Sequence, residues 1–330
     1  MDNRGVKNMI AAIFSIAVPV LLFKCLANSE SCDFNRDQIT NPIEFTQSNI
    51  QSNERKKYTM VVEGKSGEIR NIELDDYLAG VLLCEMPANF ETEALKAQAI
   101  AARTYALHSL KKLTGKHGEA AVCMDPGCCQ GYWDPEEYIS GGGTEYQVEK
   151  ARYAVSSTDD LVIVYNGELI EATYFSCSGG ITESAVEVWG NDVPYLQAVE
   201  SPGEQDAVHY TDTLQFSCTE VLRILELQDS DSIVINDVTY TIGGGIKEIA
   251  INGHIFTGNQ IRSLLGLPST IFAATVLGNT VTITTKGFGH RVGLSQYGAN
   301  AMAKTGATYS QILAHYYQGI ELISLTCIND

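Results

Sequence analysis

The sequence predicts an α+β fold, with mixed helices and antiparallel strands in one core preceded by a single N-terminal transmembrane helix. Three observations carry this. Between Tyr58 and Thr326, short runs rich in Val, Ile and Thr are separated by turn-length polar breaks, the spacing of hairpins. Segments with helical apolar spacing lie among them, without the regular strand–helix alternation of a doubly wound sheet. An apolar run, Met9 to Phe23, follows Arg4 and Lys7 near the N-terminus. No internal repeat of fixed period is present.

Residues 1–27 read as a membrane anchor or a signal. The apolar run is shorter than the ~20 residues of a spanning helix, but Lys24 can snorkel and let Cys25, Leu26 and Ala27 extend it. Positive charge ahead of the run places the N-terminus in the cytoplasm and the rest outside, in a single-pass cell-membrane protein. A cleaved signal peptide is the alternative, since Cys25-Leu-Ala27 loosely resembles a cleavage site. Residues 28–57 are rich in Asn, Gln and Ser and read as a polar linker. Residues 58–330 form the main domain, with a β-rich insertion at about 200–285.

Within that domain, residues 58–63 read as a strand, and Asp75 or Asp76 can cap a short helix through Leu83 that Met86-Pro87 breaks. A long helix follows from about Thr92 to Lys112, with Leu95, Ala99, Ala102, Ala106 and Leu110 on one face. Residues 117–146 are loop-rich. Strands are expected at 161–165, 169–174, 232–236, 239–242, 247–252, 274–277 and 280–284, with a short helix at 260–265. Helices near 295–304 and 309–317 and a strand near 321–326 close the chain.

The chain has 330 residues, 45% of them apolar, enough for a sizeable core. Its 22 basic residues against 40 acidic give a net charge of −18. A field of that sign excludes nucleic acid as a partner and repels acidic wall polymers unless a local basic patch intervenes. Nine cysteines, an odd number, cannot all pair internally. Cys123, Cys128 and Cys129 cluster near His117, which points to a metal site more than to a disulfide framework. The spacing, His-x5-Cys-x4-Cys-Cys, is not that of a standard zinc finger, and a disulfide from Cys123 to Cys128 or Cys129 is the competing reading.

Glu85 is a lone carboxylate at the end of an apolar run. A carboxyl held against apolar surface has a raised pKa and can stay protonated near neutrality, which a general acid needs. Read alone, it could equally pair with Lys96 or Arg103 at a helix end. Four segments then stand out together: Cys84-Glu-Met-Pro87 with the helix through Arg103; Ala172-Thr-Tyr-Phe-Ser-Cys-Ser-Gly-Gly180 with Trp189; Lys286-Gly-Phe-Gly-His-Arg-Val-Gly-Leu-Ser-Gln-Tyr-Gly-Ala299; and Tyr309-Ser-Gln-Ile-Leu-Ala-His-Tyr-Tyr-Gln-Gly319. In this order they closely resemble the sporulation stage II protein D family, whose domain is shared with amidase-enhancer proteins. The resemblance covers about Tyr58 to Ile323.

That resemblance implies a membrane-anchored lytic transglycosylase on the mother-cell engulfing membrane, acting during forespore engulfment in sporulation. Its substrate would be peptidoglycan glycan stripped of peptide stems by a partner amidase, with a membrane scaffold protein of the engulfment machinery as a further partner. Glu85 falls on the family's catalytic glutamate. Substrate contacts are expected from Gln98, Arg103, Tyr174, Ser176, His290, Ser295, Gln296 and Tyr297. Branches of the family from anaerobic spore-formers carry a His-x5-Cys-x5-Cys zinc site. It maps here onto His117, Cys123 and Cys129, with Cys128 as the register alternative or a fourth ligand. Tyr132, Trp133, Trp189, Tyr316 and Tyr317 are candidates for stacking on sugars. Two rival classes are a non-catalytic peptidoglycan-binding enhancer of a wall amidase and a zinc amidase. The second would want more ligands than six histidines without a His-Glu-x-x-His run suggest.

Overall fold

The computed structural model describes residues 58–112, 115–158, 160–227, 230 and 232–327. The expected anchor (1–27) and linker (28–57) lie outside these. Among the described residues no helix is long and apolar enough to cross a membrane. The membrane location expected from the sequence is corrected accordingly.

Strand β1 (Thr59–Glu63) pairs antiparallel with β2 (Ile69–Glu73), which runs directly into helix α1 (Leu74–Glu85). Glu73 holds the N-cap position; Asp75 and Asp76 sit inside the first turn, where negative charge favours the helix dipole, so neither is the expected cap. Helix α1 is buried along most of its length, with Tyr77, Leu78, Val81 and Leu82 all in the core. Met86, extended at the C-cap, ends it before Pro87. Helix α2 (Thr92–Lys111) packs against α1, and its buried alanines, Ala97, Ala99, Ala101, Ala102 and Ala106, lie around much of its circumference, so neighbouring elements can approach it closely on several sides.

The stretch read as loop holds more structure than expected. It contains β3 (Val122–Cys123), parallel to β1, and α3 (Pro135–Ser140); α4 (Glu145–Ser156) begins at its end and runs through residues where no element was expected. Helix α4 starts at a Thr144–Gln147 capping box and buries Val148, Ala151, Ala154 and Val155 against α1 and α2. Strands β4 (Leu161–Tyr165) and β5 (Glu168–Leu169) form a hairpin. The strand expected over 169–174 is interrupted, and the chain resumes at β6 (Tyr174–Phe175), followed by α5 (Ala185–Trp189).

Next come β7 (Thr211–Ser217), α6 (Cys218–Ile224), β8 (Ile235–Tyr240), β9 (Ile246–Ile251), β10 (His254–Thr257), α7 (Gly258–Leu265), β11 (Ile271–Leu277) and β12 (Thr280–Lys286). They build two antiparallel sheets, β10-β9-β8 and β11-β12-β7, around a smaller core that includes Leu222, Ile249, Ile261, Phe272 and Ile283. Two of the expected strands, 232–236 and 239–242, are one bulged strand β8, with Asp237 at φ 46°. The chain returns through β13 (Leu294–Ser295), α8 (Gln296–Lys304), α9 (Tyr309–Tyr316) and β14 (Glu321–Ser324), which pairs antiparallel with β4.

Arg103 fastens α2 to the turn between α4 and β4. It is fully buried, and its guanidinium donates to the carbonyls of Val155 (3.0 Å) and Leu161 (3.0 Å) and to Thr158 Oγ1 (3.1 Å). Arg103→Met keeps the apolar stem and removes the donors, leaving buried acceptors unpaired. Its urea midpoint should fall by the equivalent of about 3 kcal/mol with an unchanged slope. An unchanged midpoint would show that these bonds do not hold the junction.

Candidate active site and metal centre

Glu85 is the last residue of α1, so the break at Met86-Pro87 delivers its carboxyl to the mouth of a cavity of about 600 Å³. Burial pushes its pKa up, and the carbonyl end of α1 works in the same direction. Against this, the backbone N–H of Gly131 donates to Oε1 at 2.5 Å, and the Gln296 side chain also favours the charged form. Gln296 closes no full hydrogen bond there, because its buried Nε2 has no partner among the described residues. Gly131 is required for this approach: a Cβ there would stand 2.8 Å from Cys84 Sγ and 2.9 Å from Glu85 Oε1.

The floor of the cavity is the parallel pairing of β6 with β13, which aligns Tyr174 with Leu294 and Phe175 with Ser295. This pairing joins two of the four sequence segments. It depends on Gly293, at φ 83°, where a Cβ would meet the Thr173 carbonyl oxygen at 2.2 Å. Ser176 and Tyr174 line the cavity, and the Tyr174 hydroxyl accepts from Gln130 Nε2 at 2.8 Å. Burial, then the charge of Glu85, pushes the Tyr174 phenol well up, so it stays a neutral hydrogen-bonding group.

His290 lines the opposite wall, its ring 5.6 Å from that of Phe175 and 5.4 Å from that of Trp189. Its Nδ1 accepts the Val292 N–H at 3.1 Å, which leaves the proton of the neutral ring on Nε2. Burial and the nearby Arg262 push its pKa down to about 4.

Of the expected contacts, Tyr174, Ser176, His290 and Gln296 meet at the cavity with Glu85, and Trp189 joins them. Gln98, Arg103, Ser295 and Tyr297, expected to contact substrate, do not line it. Gln98 is fully buried with neither amide atom bonded. Arg103 is the tie described above. Ser295 caps α8 and donates to Glu204. Tyr297 packs edge-on against Phe90 at 4.9 Å. Tyr132, Tyr316 and Tyr317 are core residues, and Trp133 packs on Tyr138.

Sequence reasoning missed Gln130, Gly131, Tyr105 and Glu171. Gln130 is a buried bridge: its Oε1 accepts from Tyr77 (3.0 Å), while its Nε2 donates to the Ala102 carbonyl (3.3 Å) and to Tyr174. Tyr105 and the exposed Glu171 line the cavity. The position of Gln130-Gly131 directly after Cys128-Cys129 was the available signal.

His117, Cys123, Cys128 and Cys129 come together, with their donor atoms all within 4.8 Å of one another. His117 Nε2 lies 3.3 Å from Cys129 Sγ and 3.5 Å from Cys128 Sγ, and the two sulfurs are 3.9 Å apart. A tetrahedral centre with bonds of about 2.3 Å to sulfur and about 2.0 Å to nitrogen sets its ligand atoms about 3.5–3.8 Å apart, so the four fit one ion. Glu63 Oε2 sits 2.6 Å from His117 Nδ1, the carboxylate contact that turns Nε2 toward a metal. The cluster can therefore hold a metal ion, with Cys128 as a fourth donor. The three cysteines are free thiols, so the alternative Cys123 disulfide does not form here. Cys128 and Cys129 also line the Glu85 cavity.

Residues 62–165 match the sequence model of the family described as Stage II sporulation protein. The chain is 39% identical to Stage II sporulation protein D of Bacillus subtilis over 77% of this chain and 75% of that one. It is 38% identical to Stage II sporulation protein D of Bacillus amyloliquefaciens over the same shares. It is also 32% identical to an amidase enhancer of Bacillus subtilis, over 75% of this chain and 40% of that protein.

The His290 environment makes a pH prediction. The unfolded chain takes up this proton near 6.5 and the folded chain only near 4, so folded stability is lost as pH falls through that window. NMR titration of the ring should give a midpoint near 4; an ordinary midpoint near 6.5 would refute the packing described.

Proposed function

The chain belongs to the stage II sporulation protein D family, and from that premise we propose that it is a lytic transglycosylase. Its substrate is peptidoglycan glycan stripped of peptide stems, cut during forespore engulfment in sporulation. The observation that carries this reading is Glu85, a carboxyl whose pKa is raised by burial, at the wall of a cavity with room for sugars.

The chemistry balances with one carboxyl. Glu85 gives its proton to the glycosidic oxygen that leaves C1 of the muramic acid residue. The same residue's C6 hydroxyl attacks C1, forming the 1,6-anhydro bond, and its proton returns to Glu85. No water is consumed. Because the nucleophile is already tethered to the reacting ring, proximity does the work that a second carboxylate does in a hydrolase. Tyr174, Ser176 and neutral His290 supply hydrogen bonds to the sugar. The Nε2 of Gln296, which closes no full hydrogen bond and lies near Glu85, can donate to the carboxylate or to a sugar oxygen.

Zinc is the ion we assign to His117, Cys123, Cys128 and Cys129, on the strength of the three sulfurs and one imidazole. Bound there, it would supply a cross-link within the loop that ends at Gln130 and Gly131. Those two residues then hold Tyr174 and the Glu85 carboxylate.

The name of the amidase enhancer relative favours a second reading, in which the cavity binds glycan without cleaving it and a wall amidase is the catalytic partner. Product analysis separates the two. On stem-free glycan the intact protein should release fragments one water lighter than hydrolysis products, and Glu85→Gln should be slower by about 10³-fold. Fragments carrying the extra water would instead implicate Glu171 as a base. Absence of any fragment would sink the transglycosylase reading.

The acid form of Glu85 is required, so the rate should fall as pH rises through its elevated pKa, and the residual rate of the Gln variant should show no such limb. Metal analysis should find about one zinc per chain, and Cys123→Ser should lose it along with part of the thermal stability. Undiminished zinc in that variant would refute the ligand set.

A further inference from the structure

A second concavity, of about 370 Å³, lies beside the Glu85 cavity. One wall is the last turn of α2, with His108, Lys111 and Lys112; the other carries Tyr165 and Tyr195, with Glu168 at the rim. Lysines in the last turn of a helix ordinarily need no more explanation than the helix dipole. Three features take this pair further. Neither Lys111 nor Lys112 forms an ion pair among the described residues, in a chain with 40 acidic residues and only 22 basic ones. They face two tyrosine rings, 5.6 Å apart and tilted by 49°, a surface suited to stacking on sugar. The concavity also adjoins the cavity already described.

The two cavities adjoin through neighbouring residues. Tyr105 lines the Glu85 cavity and His108 the second one, and residues three apart on a helix lie on one face. On the other side, Glu171 lines the first and Ile170 the second, while the Glu171 N–H is bonded to the Tyr195 hydroxyl at 3.1 Å. Glu171 and Lys112 both act on the charge of His108. From Tyr105 to Lys112 the helix rises about 10 Å, the scale of a short oligosaccharide.

The geometry points to a carbohydrate subsite in this groove, in which Tyr165 and Tyr195 pack on a sugar and Lys111 and Lys112 pair with the free lactyl carboxylate of a muramic acid residue. The inference rests on the transglycosylase reading and deepens it. A muramic acid residue carries that carboxylate only where the stem peptide has been removed, since the stem is joined through it as an amide. Two lysines placed one or two sugars from the scissile bond therefore read the absence of a stem as the presence of a negative charge. This also resolves the difficulty that a chain of charge −18 would repel an acidic glycan.

The test uses the full chain carrying Glu85→Gln, so that probes are bound and not consumed. The probes are stem-free glycan strands, the same strands with carboxylates capped as methyl amides, and neutral chito-oligosaccharides. The carboxylate strands should bind about five- to tenfold more tightly than the capped ones, a difference that shrinks with added salt. In Lys111→Gln/Lys112→Gln the preference should vanish, with affinity for capped strands and chito-oligosaccharides retained. Equal binding of all three probes, or a preference that survives the double substitution, would overturn the subsite. If the native chain cleaves glycan and no preference exists, the groove fails and the transglycosylase reading stands. A lysine-dependent preference in a chain that releases no fragments supports the subsite and removes the cleavage.

Discussion

The hydrogen bond from the Gly131 N–H to Glu85 is the contact on which the candidate site turns. It joins two structures with different origins. One is α1, positioned by its own apolar residues against α2 and α4. The other is the loop from His117 to Gly131, which is pinned to the core by Val122 and Met124 and otherwise shaped by polar side chains and four potential metal donors. A helix terminus alone would leave the carboxyl with burial and an unfavourable dipole. One N–H donor moderates both while leaving most of the carboxylate's hydrogen-bonding capacity for a substrate oxygen. Glycine at 131 is the price of that approach, because any side chain would displace the acid it serves.

How much of this was legible in the sequence depends on whether the information was local. Glu85 was readable because its helix, its Pro break and its apolar approach lie within a few residues of it. The candidate metal donors were readable because His117, Cys123, Cys128 and Cys129 are close in the chain. Arg103 was misjudged because its acceptors are mostly backbone carbonyls, and no residue type advertises those. The strand expected at 169–174 breaks for a similar reason: the Thr173 carbonyl accepts from the Leu294 N–H and the Tyr317 hydroxyl, residues far along the chain. Helix α4 is a different case, since its capping box and the spacing of Val148, Ala151 and Val155 are local signals that the sequence reading did not use.

The smaller β-rich core is tied to the cavity wall through Arg291, the neighbour of His290. This arginine is fully buried at φ 67°, a left-handed conformation that costs a side-chain-bearing residue something to adopt. It donates to the carbonyls of Ser178 (2.8 Å), Ile181 (2.8 Å) and Gly243, and sits 3.7 Å from Glu183 Oε2. The Gly243 bond reaches the β8–β9 turn, so the orientation of His290 is set in part by a segment that contributes nothing else to the cavity. A left-handed arginine is tolerable because its bonds over-determine the loop.

Comparison of the buried carboxyls shows what sets the candidate acid apart. Glu204 accepts at both oxygens, from Ser178 N and Oγ, the Gly179 N–H, Ser201 Oγ and Ser295 Oγ. Glu183 is engaged by Thr241 Oγ1, the Gly243 N–H and Arg291. Both are surrounded on every side by donors that belong to the fold, and a sugar oxygen could reach neither without dismantling the junctions they hold. Of these three, Glu85 combines burial, a single strong backbone donor and an open face toward a cavity. Chemistry needs a group whose partners are incomplete until substrate arrives, and structure needs the opposite. Hydrogen-bond saturation therefore separates the catalytic candidate from the structural carboxylates more sharply than burial does.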